Sequence, residues 1–173
     1  VYGGTYRMTT QILSIHGLKF DFVNTTKVQN ITDAIKPETK WVFIETPTNP
    51  MLEITDIKAV SRVCAEFNIK FAVDNTFMSP YGQNPLNLGA DIIMHSATKY
   101  IGGHSDLIAG VLITNNDSIA EQLYFIQKSA GAVLSPFDSW LLLRSTKTLG
   151  IRVQKQSDNA IELAQRLSEH SKI

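Results

Sequence analysis

The sequence reads as an α/β domain on a mostly parallel sheet with helices on both faces, and three observations carry that reading. Runs of β-branched and aromatic residues recur about every twenty residues. Helical patterns fill the intervals between them, which is the alternation of βαβ units. The 173 residues are 43% hydrophobic, enough to bury a core of ordinary domain size, and no low-complexity tract or repeat interrupts them.

Taken in order, residues 5–16 are expected to be helical and residues 19–23 to form a strand. A short helix over 31–35 and a strand over 41–44 follow. Residues 55–67 place Ile57, Val60, Val63, Cys64 and Phe67 on one helical face. Strands are expected at 70–73, 91–94 and 109–114, and a helix at 118–129. Ser135, Pro136 and Asp138 open another helix in the manner of a capping box with proline at its first position. That helical pattern runs to residue 170, with a bend expected at Gly150. Right-handed crossovers in such a sheet put ligands at the carboxyl ends of its strands.

Composition excludes several functions. Sixteen basic and sixteen acidic side chains leave no net charge to attract nucleic acid or an anionic membrane surface. No apolar run reaches the roughly 18 to 20 residues that span a bilayer. The single Cys64 allows no internal disulfide and fits a reducing, cytoplasmic setting. His95, His104 and Asp106 lack a metal-ligand spacing, so no metal is expected. Lys99 precedes Gly102 and Gly103, the reverse of a phosphate-binding P-loop, and no GxGxxG occurs. The opening on Val1 and the uncapped helical end read as an excised piece of a longer protein.

The chemistry lies at two strand ends. The run from Phe71 to Val73 delivers Asp74, for which an Asx-turn or a cap is the plain alternative. The next strand leads into His95-Ser96-Ala97-Thr98-Lys99, so that an amine emerges on the same sheet edge. A solvated surface lysine is the plain alternative there. Together the acid and the amine suit pyridoxal phosphate. Lys99 would hold it as a Schiff base, Asp74 would keep its ring nitrogen protonated, and the Ser96 and Thr98 hydroxyls would hold phosphate oxygens.

Five blocks extend the pattern: VYGGTYR at 1–7, ETPTNP at 45–50, VDNTF at 73–77, SATKY at 96–100 with GHSD at 103–106, and SPFDSW at 135–140 running into Arg144 and KTL at 147–149. On these the chain resembles the Cys/Met-metabolism family of pyridoxal-phosphate enzymes, which includes cystathionine γ-lyase, γ-synthase and β-lyase. The resemblance implies a fold-type I, aspartate-aminotransferase-like large domain over 1–135 and a helix over 136–173 leading to a further domain. It implies that Tyr2 stacks on the cofactor ring and can take a proton, that Asn49 bonds the cofactor's phenolic oxygen, and that Arg7 meets a substrate's distal carboxylate. It implies transsulfuration of cystathionine or a homoserine-derived amino acid by γ-elimination or γ-replacement, with Lys99 moving the α-proton. Cystathionine β-lyase and methionine γ-lyase are the alternatives within the family, and a nucleotide-binding α/β module is the alternative outside it. The partners implied are a small amino-acid substrate and further copies of the chain. These would form a homotetramer of dimers with shared active sites.

Overall fold

The computed structural model describes residues 1–173. Four strands form one sheet in the order β1 (Trp41–Glu45), β2 (Lys70–Asp74), β3 (Ile92–Ser96) and β4 (Gly110–Ile113). The β1–β2 and β2–β3 pairings are parallel, with Glu45 opposite Asp74 and Asp74 opposite Met94. The helices are α1 (Gly3–Arg7), α2 (Val28–Ala34), α3 (Ile57–Glu66), α4 (Ser79–Gly82), α5 (Asp117–Ala130), α6 (Pro136–Thr146) and α7 (Leu149–Ser168). None is long and apolar enough to cross a membrane.

The chain divides into two compact units: residues 1–95 with 111–131, and residues 96–110 with 132–173. In the first, Ile57, Val60 and Cys64 of α3 and Ile31 of α2 pack on Ile44, Phe71 and Val73 of the sheet. The α3 stripe forms as the spacing predicts, and its start is set by Asp56, whose carboxylate accepts from the Ala59 N–H at 2.9 Å. In the second unit, α6 opens as expected, with Ser135 Oγ accepting from the Asp138 N–H at 3.0 Å.

Two expectations are corrected. Residues 19–23 form no strand. The preceding turn ends on Gly17 at φ 84°, and the segment lies exposed with no neighbouring strand to pair with. Its Phe22 instead meets the Tyr6 ring at 5.0 Å between centroids. The break expected at Gly150 falls between α6 and α7 instead, and Gly150 lies inside α7. There the Thr148 hydroxyl donates to the Ser145 carbonyl at 3.2 Å, a local bond that competes with helix continuation.

Candidate active site

In the first unit the site grows from the carboxyl end of β2. Asp74 is only 6% exposed, so its carboxylate needs partners. Thr76 supplies two: its N–H and its hydroxyl donate to Oδ1 at 3.0 and 2.6 Å. The second carboxylate oxygen carries no hydrogen bond and remains an open acceptor. One strand over, buried Glu45 occupies the matching register position. Its Oε1 accepts from the Asn49 N–H at 3.1 Å, and its Oε2 lies 3.7 Å from the Val1 nitrogen. Glu45 therefore draws the loop bearing Asn49 to the sheet edge where Asp74 stands.

Tyr2 caps the start of α1 and is half exposed. Its ring lies over Gly4, where an added Cβ would fall 2.7 Å from the Tyr2 ring. Any side chain at Gly4 would displace the tyrosine. Asn49 is exposed between Pro47 and Pro50, both preceded by cis peptides. Arg7, in the last turn of α1, is exposed and forms no ion pair.

In the second unit, Lys99 follows the end of β3 by three residues. Its N–H donates to the Ser96 carbonyl at 3.0 Å, and its own carbonyl accepts from the Gly103 N–H at 2.7 Å. Its main chain is thus tied on both sides, while its side chain is exposed and makes no ion pair. Thr98 shares a two-way link with Ala109: its hydroxyl accepts from the Ala109 N–H at 2.9 Å and donates to the Ala109 carbonyl at 3.3 Å. Donating to a phosphate would draw the proton from the longer of these contacts. Ser96 closes β3, half-buried.

Several residues gave no functional signal in the sequence or were assigned none. Glu45 ends an apolar strand as Asp74 does, and that shared pattern could have marked it. His95 is 1% exposed and neither ring nitrogen has a partner. Burial pushes its pKa below the usual 6.5, while the Asp74 charge pulls it upward. No cluster of three or more His, Cys, Asp or Glu side chains is placed to hold a metal.

A parallel sheet that ends one strand on a buried, braced carboxylate can be set beside known proteins. The family described as Cys/Met metabolism PLP-dependent enzyme matches residues 1–173. The chain belongs to this family. It is 51% identical over 170 residues to a probable cystathionine gamma-synthase of Herpetosiphon aurantiacus, covering 98% of this chain and 53% of that protein. It is 48% identical to the cystathionine gamma-lyase of Bacillus subtilis, again over 98% of this chain and 45% of the relative. Among solved structures, cystathionine gamma-lyase from Lactobacillus plantarum complexed with L-serine superposes with a TM-score of 0.97 at 43% identity. That match covers 99% of this chain and 45% of the other. The chain spans about half the length of the relatives it matches.

Proposed function

We propose that this chain forms the cofactor-binding core of a transsulfuration enzyme acting on cystathionine or a homoserine-derived amino acid by γ-elimination or γ-replacement. The observation that carries the reading is Asp74: buried, braced by Thr76 through one oxygen and open at the other. Those residues fit pyridoxal phosphate, whose ring nitrogen needs one anionic acceptor held in place. When bound, the cofactor supplies an electron sink for cleavage next to the substrate's α-carbon.

The chain's own residues do the rest. Asp74 holds the proton on the ring nitrogen through its open oxygen. Lys99 Nζ attaches the cofactor and moves the substrate's α-proton. Ser96 and Thr98 donate to phosphate oxygens, Asn49 bonds the phenolic oxygen, and Tyr2 covers the ring face and can relay a proton. Arg7 would receive a substrate's distal carboxylate, a role supported by its exposure and its lack of an ion pair. Residues 1–135 then belong to the large domain, and 136–173 lead toward the remaining half of the longer relatives.

The relatives' names include gamma-synthase, gamma-lyase and beta-lyase at similar identities, 51%, 48% and 49%, so the choice of γ-chemistry within the family rests on the product test. Membership of a PLP-dependent family displaces the nucleotide-binding alternative. The test is to offer the full-length enzyme cystathionine, an O-acylhomoserine with cysteine, and methionine, and to identify the products. Cysteine released from cystathionine, or cystathionine formed from the acylated substrate, supports the reading. Homocysteine as the sole sulfur product would overturn it in favour of β-elimination. Lys99→Ala should abolish turnover and visible absorbance while leaving the fold intact, and normal activity in that variant would remove Lys99 from its role.

The shared-site homotetramer belongs to the same proposal. Two hydroxyls cannot neutralise a phosphate's nearly two charges, so a further cationic donor completes the site, and in this proposal it comes from another subunit. The exposed Tyr124, Phe125, Phe137, Trp140 and Leu143 are apolar surface that assembly would cover. Sedimentation of the full-length enzyme as a monomer would refute it. A cytoplasmic setting is supported by the single, buried, unpaired Cys64, and recovery of the protein in the secreted fraction would contradict it.

A further inference from the structure

Arg152, near the start of α7, makes four hydrogen bonds and no ion pair. Nη1 donates to the Tyr100 carbonyl at 2.7 Å. Nη2 donates to the Ile101 carbonyl at 3.3 Å and to the Ser145 carbonyl at 2.9 Å. Nε donates to Thr148 Oγ1 at 3.0 Å, and so anchors the fork to its own helix. A half-buried guanidinium bonded to carbonyls instead of a carboxylate is spending its charge on fixing backbone.

The backbone it fixes is the turn immediately after Lys99. Tyr100 and Ile101 lie inside the loop that the Gly103 N–H closes onto the Lys99 carbonyl at 2.7 Å. Gly102 adds a second closure, its N–H donating to the Ala97 carbonyl at 2.7 Å. Gly103 sits at φ 72°, and a Cβ built there would fall 1.8 Å from Arg152 Nη1. The glycine leaves the space that the guanidinium occupies. His104 reinforces the far side of the turn, with Nδ1 donating to the Gly102 carbonyl at 2.7 Å. The turn is therefore held by side chains from 41 to 52 residues away along the chain as well as by its own backbone.

We infer that Arg152 is a positioning residue for Lys99: its planar fork fixes the turn that follows the lysine, so that the lysine main chain is set before cofactor arrives. The inference rests on the reading of Lys99 as the attachment residue. A lysine at 152 keeps the charge but presents its donors from one point, and cannot span carbonyls of Tyr100, Ile101 and Ser145 together. Loss of the fork loosens the lysine without touching Asp74 or the phosphate-side hydroxyls directly.

The test uses the full-length holoenzyme carrying Arg152→Lys, Arg152→Ala or Gly103→Ala, with pyridoxal phosphate as the probe. Each variant should bind the cofactor about tenfold or more weakly, as expected for the loss of charge-assisted bonds. The pH midpoint of the visible absorbance band should move in each. Added guanidinium ion should return the midpoint of Arg152→Ala toward wild type. Gly103→Ala combined with Arg152→Lys should be no worse than either alone, because both break one contact. If Arg152→Ala does not fold, Arg152→Lys carries the measurement. Leu149→Ala, which weakens the same helix from its buried start, serves as the stability control and should leave the midpoint in place.

An unmoved midpoint and unchanged affinity in Arg152→Lys would overturn the inference, as would an equal shift in Leu149→Ala. Failure of the underlying reading is read separately. If Lys99→Ala still binds the cofactor covalently, another lysine is the attachment point and the inference falls with it; if only the Arg152 variants behave normally, the inference alone fails.

Discussion

Replacing Asp74 by asparagine isolates the one function assigned to its open oxygen. Asparagine keeps an amide oxygen where Oδ1 stands, so the Thr76 N–H and hydroxyl, now at 3.0 and 2.6 Å, retain an acceptor. The apo fold should change in stability by about 1 kcal/mol or less. At the other oxygen an acceptor becomes an amide donor, which cannot hold a proton on a ring nitrogen. A hydrogen bond to a charged group contributes about 1.5–3 kcal/mol, and about 1.4 kcal/mol is tenfold in an equilibrium constant. The cofactor dissociation constant should therefore rise by about 10- to 150-fold. The assay is a titration of the apo full-length enzyme with pyridoxal phosphate, followed by visible absorbance, alongside a thermal melt without cofactor. Turnover at saturating cofactor should fall as well, because the ring is a poorer electron sink when its nitrogen is neutral. Asp74→Ala, which strands both Thr76 donors, should lose stability in addition. Wild-type affinity and rate in Asp74→Asn would refute the ring-nitrogen role; a large drop in apo stability would show that the carboxylate serves Thr76 first.

Three further outcomes follow from the same geometry. Burial holds the His95 pKa below its usual 6.5, so the unfolded chain binds the additional proton first as pH falls; stability is complete above about 6.5 and declines below it. His95→Leu should flatten that acid-side slope in denaturant melts, and an unchanged slope would assign it to other groups. Burial also pushes the Cys64 thiol up to about 11 from 9.0, which cuts its thiolate fraction about a hundredfold at neutral pH. A thiol reagent should label it only after denaturation, and fast labelling of the native enzyme would contradict its place in the core. Finally, mixing full-length Lys99→Ala subunits with subunits lacking the donated cationic residue should restore some activity. Confirmed subunit exchange without recovery would dismiss shared sites.

What was legible in the sequence was local or periodic. The α3 stripe of Ile57, Val60 and Cys64 declares itself at helical spacing, and the Ser135–Asp138 opening of α6 is complete within four residues. Asp74 and Lys99 stand out as candidates because each closes or follows an apolar strand whose carboxyl end is the expected ligand edge. The segment 19–23 misled because Phe20, Phe22 and Val23 have strand propensity, yet a strand exists only where a neighbour pairs with it. Propensity alone puts the bend at Gly150, whereas the helix breaks at residues 147–148, between α6 and α7.

The supporting residues were illegible for a different reason. Thr76 is two residues from Asp74, but nothing in its type says that it braces a carboxylate in place of closing an ordinary turn. Glu45 meets Asp74 only through the register of two strands separated by α3, and Arg152 reaches Tyr100 across 52 residues. Such contacts leave no periodic trace, because each is a single side chain meeting backbone that any residue could supply. A carbonyl of Tyr100 or Ile101 looks to the sequence like every other carbonyl. Only Gly103 hints at its neighbour, since a left-handed glycine with a guanidinium in place of its side chain is a position where the fold has reserved space. The residues proposed for the chemistry are thus announced by type and place, while those proposed to aim them become visible only when the chain has folded, which is why substitutions at Arg152 and Thr76 test the proposed site more sharply than further substitutions at Lys99.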